Sequence, residues 1–94
     1  MRGFGNVMSA RLGTAANLAS SASTGASSTF GAQTYQVRVV ATAAVNVKIG
    51  DGTPTAAATD TLLTANIPEY FTCTPGQKLA SIGTATVNIT EITQ

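Results

Sequence analysis

The 94-residue chain carries five basic and four acidic side chains, a net charge of +1, one cysteine and no histidine. That length accommodates a single domain, and a charged fraction of 10%, against about 25% in ordinary soluble domains, leaves little ionic surface. Arg2, Arg11, Arg38, Lys48 and Lys78 are too scattered to form a basic patch for nucleic acid. One cysteine forbids an internal disulfide, and the lack of histidine removes imidazole bases and most zinc sites.

Residues 1–31 form a compositional block of their own. Phe4, Val7, Met8, Leu12 and Leu18 are strewn among small residues. Met8 and Leu12 stand four apart with Ala15 and Ala16 beyond, a spacing that allows a short helix over Ser9–Ala19 capped by Ser9. The run Ser20–Thr29 contains only Ser, Ala, Thr and Gly, which by itself cannot bury enough surface to offset its ordering entropy. The block is therefore expected to be an extended or partly helical N-terminal arm, with its apolar points available to a partner.

From Gln33 to Ile49 the pattern changes. Tyr35, Val37, Val39 and Ala41 fall on one side of an extended chain, and Gln36, Arg38, Val40 and Thr42 on the other. The alternation resumes with Val45, Val47 and Ile49 against Asn46 and Lys48. Period-two alternation of β-branched residues predicts half-buried strands, because successive side chains point to opposite faces of a sheet. Gly50-Asp51-Gly52 and Pro54 then break the strand, and Thr61–Thr64 is a further short strand or an apolar anchor of this loop. Pro68 opens an extended segment, Glu69–Thr74, in which Tyr70 and Phe71 must face opposite ways, one inward and one outward. In Thr74-Pro75-Gly76-Gln77, Pro presets φ at the second turn position and Gly supplies the positive φ of a type II turn at the third. Lys78–Ile82, a turn near Gly83, and Thr84–Ile92 complete the chain. Five or six short strands separated by turn chemistry predict an all-β domain over 32–94, a small antiparallel sandwich or barrel. Just over sixty residues make a marginal lone core, which favours burial against neighbouring subunits.

Candidate chemistry is sparse. Asp51, Asp60, Glu69 and Glu91 are far apart in sequence, and a glycosidase would need two carboxyl groups held across one bond. Asp51 and Asp60 bracket a loop that has the makings of a cation site, but Asp51 between two glycines reads first as a turn residue. Cys73 reads as a small buried hydrophobe. Asn88-Ile89-Thr90 matches a glycosylation sequon of low specificity. No stretch approaches the roughly 18 apolar residues of a membrane span, and no continuous apolar core follows Arg2 and Arg11 as a secretory signal requires. The reading is a non-enzymatic protein with no cofactor and no metal, and with neither nucleic acid nor membrane as partner.

The stretch from Val37 to Ile92 resembles small proteins encoded among the virion genes of tailed bacteriophages. The resemblance rests on the order Val37-Arg38-Val39-Val40, Val45-Asn46-Val47-Lys48-Ile49, the Gly52–Ala56 loop, Pro68-Glu69-Tyr70-Phe71-Thr72, the turn Pro75-Gly76-Gln77-Lys78, and Val87-Asn88-Ile89-Thr90-Glu91. It implies a virion structural protein, assembled in the bacterial host cytoplasm, that decorates or cements a capsid by binding the major capsid protein and copies of itself. The contact residues expected for such a role are Phe4, Val7, Met8, Leu12, Leu18 and Phe30 of the arm, with outward Arg38 and Tyr70 of the strands. A tail, neck or fibre component is the alternative address. A carbohydrate-binding attachment module is the third reading, for which two Tyr, three Phe and no Trp supply few stacking rings.

Overall fold

The alternation beginning at Gln36 governs the architecture. In a computed structural model, which describes residues 11–93, Val37, Val39 and Ala41 are buried on one side of their strand, and Val45 and Val47 repeat the pattern on the next. Eight strands are formed: β1 (Arg11–Ser20), β2 (Gly25–Ala26), β3 (Gln36–Ala41), β4 (Val45–Gly50), β5 (Thr61–Leu63), β6 (Glu69–Thr72), β7 (Lys78–Ile82) and β8 (Ala85–Thr93). Six of them, β3 to β8, lie in the region where turn spacing predicts five or six.

The strands make two four-stranded antiparallel sheets, a first in the order β1-β8-β3-β6 and a second in the order β2-β7-β4-β5. In the first, Val37, Val39 and Ala41 stand opposite Glu91, Ile89 and Val87. In the second, Val47 and Ile49 stand opposite Ser81 and Leu79, and Val45 opposite Leu63. The inner faces of the two sheets, with Phe30 and Cys73 from the connections, form one hydrophobic core.

Local chemistry sets the turns. The Gln77 amide donates to the Thr74 carbonyl at 3.2 Å and Gly76 has φ +87°, as the Pro-Gly pair requires. Gly83, between β7 and β8, has φ +123°, and a Cβ there would come within 3.2 Å of the Ala44 carbonyl oxygen and of Val45 Cγ1. Only glycine fits that corner.

The structure corrects three expectations about the N-terminal block. The described part of Ser9–Ala19 is strand, not helix: β1 pairs with β8 from Arg11↔Thr93 to Ser20↔Ala85, with a register shift between Leu12 and Ala15. Residues 11–30, expected in an arm, are built into the sandwich. Past the buried Ser20, the Ser/Ala/Thr/Gly run is held by hydrogen bonds and not by its own burial. Gly25–Ala26 pairs with β7, the Ser27 amide donates to the Leu79 carbonyl at 2.8 Å, and the Leu79 amide donates to Ser27 Oγ at 3.0 Å. A segment without large hydrophobic side chains is thus kept in place by the otherwise open edge of β7.

Tyr35 also departs from its alternation. It sits at a bend ahead of β3 and is 57% exposed, although its carbonyl accepts from the Cys73 amide at 2.9 Å. Pairing with β8 starts only at Gln36, so the pleat does not fix the side of Tyr35.

Candidate interaction surface

Directly opposed residues in a sheet share a face, so the register of the first sheet determines what its outer surface displays. Arg38 on β3 stands opposite Tyr70 on β6 and Thr90 on β8, and Thr90 stands opposite Ala15 on β1. The next row joins Leu12, Ile92, Gln36 and Thr72; the β8 members of these two rows, Thr90 and Ile92, are buried, so the exposed side chains stand toward the β1 and β6 sides. A third places Asn17, Asn88 and Val40 side by side. The first two rows cross all four strands and the third crosses β1, β8 and β3.

This face gathers three of the eight expected contact residues. Leu12 is 71% exposed and Tyr70 49% exposed, while Arg38 is half-buried between them. Asn88 Nδ2 donates to Asn17 Oδ1 at 3.0 Å and Thr90 Oγ1 donates to Asn88 Oδ1 at 3.2 Å, a polar chain running over the middle of the surface. An exposed leucine and an exposed tyrosine on either side of an arginine are residue types found at protein-binding surfaces.

The other expected contacts fall elsewhere. Phe30 is a correction: it is 4% exposed and belongs to the core, because its amide bonds to the Gln77 carbonyl at 2.8 Å and draws the ring between the sheets. Leu18 lies on the inner side of β1 and packs against the core, half-buried. Phe4, Val7 and Met8 lie outside the described residues. Tyr70 and Phe71 divide as their adjacency predicts, with Phe71 packed on the core. Sequence reasoning missed Leu62 and Ile67 as exposed apolar positions, each 55% accessible. Leu62 is followed by the fully buried Leu63, and nothing in a Leu-Leu pair says which one faces out.

Three of the four acidic residues accept hydrogen bonds through their carboxylates. Asp60 Oδ2 accepts from the Ala57 amide at 2.7 Å and the Asp60 carbonyl accepts from Asn46 Nδ2 at 3.0 Å, which closes the loop after β4. Asp51 Oδ1 accepts from Gln77 Nε2 at 3.5 Å. Glu91 faces inward, where one carboxylate oxygen accepts from the Gly31 amide at 3.1 Å and from the Thr34 hydroxyl. This ties the approach to β3 onto β8. Cys73 Sγ lies 3.8 Å from the Thr34 carbonyl, and burial, followed by the nearby Glu91 charge, pushes its pKa up. A thiol so placed stays protonated and unreactive at neutral pH. Among the described residues no three His, Cys, Asp or Glu side chains converge on a metal position. The notch bounded by Thr14, Ala16, Ser27, Phe30, Ile89 and Glu91 encloses about 20 Å³, room for little more than a water molecule.

No protein-family model matches the chain, and neither a curated protein nor a solved structure is significantly similar to it.

Proposed function

We propose that this chain is a structural subunit of a tailed-phage virion, a decoration or cement protein that binds the major capsid protein through the outer face of its first sheet. The observation that carries the reading is that one face of four paired strands presents two exposed side chains, Leu12 and Tyr70, with the half-buried Arg38 between them. A rigid sheet presents such a patch with little ordering cost on binding. The sparse charge of the chain supports the same reading, since a surface with few charges is poorly guarded against association and suits a subunit held in an array. Many copies acting together would compensate for a modest single contact. The sequence resemblance to virion proteins supplies the address.

Subunit copy number in purified particles, measured by quantitative mass spectrometry against the major capsid protein, tests this. The expected result is a ratio near one to one, or a fixed fraction set by the capsid symmetry axes. A handful of copies per particle would reassign the chain to the tail, neck or fibre, and absence from particles would overturn the virion reading.

A further inference from the structure

β1 is an edge strand of unusual openness. It ends the first sheet, so the backbone groups of every second residue face away from β8, and nothing among the described residues pairs with them. The other three edges are short: β2 has two residues, β5 has three, and β6 has four and follows Pro68. β1 has ten, and from Leu12 to Ser20 it contains neither a charge nor a proline, the usual guards of an edge. Among the described residues its protective features are Arg11 at the first position and the irregularity between Leu12 and Ala15, beyond which the pairing with β8 is regular to Ser20.

We propose that two copies of this chain join antiparallel through β1, with Asn17 opposite Asn17 on a two-fold axis, to make one continuous eight-stranded sheet. Identical edge strands pair antiparallel about an axis perpendicular to the sheet, and that axis keeps outer face beside outer face. Opposed residues share a face, so the axis must pass through a residue and not between two. Centred on Asn17, the contact uses the regular stretch Ala15–Ala19 and sets Ala15 against Ala19 and Ala16 against Leu18. No like charges meet, which favours a second copy of this strand over a charged partner. Asn17 Oδ1 already accepts from Asn88 at 3.0 Å. Its second lone pair and its amide hydrogens fit the same groups of the other Asn17. The result is a ladder of four asparagines, Asn88-Asn17-Asn17-Asn88, that fixes the register as a polar position does in other symmetric interfaces. The inference does not depend on a virion role. If that role holds, the joint sheet doubles the surface bearing Leu12, Arg38 and Tyr70.

Analytical ultracentrifugation of the full chain at concentrations of order 100 µM, where a micromolar complex is saturated, should find a dimer. Asn17→Lys and Asn17→Glu each set like charges directly opposite at an exposed position. Each should give a monomer with dimerisation weakened tenfold or more, and mixing the two should restore a one-to-one dimer. Amide exchange of residues 15–19 in the unaltered protein should slow as concentration rises, a readout independent of any variant. A wild-type monomer at all concentrations, dimers unaffected by both substitutions, or exchange independent of concentration would overturn the proposal. A monomer that associates only when capsid protein is added would give the edge to a different occupant and overturn self-pairing as well.

Discussion

The Ser81 hydroxyl donates to the Ser20 hydroxyl at 2.8 Å, and both residues are buried, at 0% and 7% exposure. The bond joins β7 of the second sheet to the last residue of β1 in the first, across 61 positions of sequence. It is a polar tie between sheets whose other inward contacts are mainly apolar. Ser81→Ala should leave the Ser20 hydroxyl buried without its partner and destabilise the fold by about 1–3 kcal/mol. The double variant Ser20→Ala/Ser81→Ala should recover part of that loss, since removing both partners leaves no orphan. Chemical denaturation of the single and double variants measures the coupling, and additive losses would show that the bond contributes nothing of its own.

Phe30 tests whether the N-terminal block is structural. Its ring is 4% exposed within the core cluster, so Phe30→Ala should cost about 3–5 kcal/mol. Against a total stability of about 5–15 kcal/mol for a domain, that loss is large. Removal of residues 1–31 takes away β1, β2 and Phe30 together, and the remainder should lose cooperative unfolding by circular dichroism and calorimetry. A truncated chain that melted cooperatively near the intact temperature would show the opposite, a self-sufficient 32–94 domain.

Cys73 links burial to alkaline stability. Desolvation, and then the Glu91 charge, raise its thiol above the ordinary value of 9.0. The folded state therefore holds this proton at pH values where the unfolded chain has released it. Stability from this source is complete below pH 9.0 and is lost as pH rises from there toward the folded pKa. Denaturation midpoints should fall over that window in the native protein and fall less in Cys73→Ala. A thiol reagent at pH 8 should label the unfolded chain quickly and the folded chain slowly.

Arg38 and Tyr70 test the outer face without touching the core. Tyr70 is 49% exposed and Arg38 half-buried, both outside the core cluster. Tyr70→Ala and Arg38→Ala should shift stability by about 1 kcal/mol or less. On the proposed capsid role, binding to capsids lacking this protein should fall tenfold or more, the size expected of an aromatic or arginine hot spot. Co-sedimentation with such particles reads the effect. Unchanged binding in both variants would move the docking surface off this sheet.

The part of this structure that depends on near neighbours was legible in the residues alone. Val37, Val39 and Ala41 announce an inner face because the pleat repeats every two positions, and Pro75-Gly76 announces its turn because the φ requirements are local. The same locality separates Tyr70 from Phe71. What depends on distant partners was not. Leu12 to Ser20 has no alternation of its own. It is a strand because β8, some seventy residues later, offers hydrogen bonds along its length. Phe30 reads as an exposed anchor at the end of a polar run until two sheets close around it. Leu12, Arg38 and Tyr70 share a surface only because register across four strands aligns them, and register is a property of pairing, which no single strand contains.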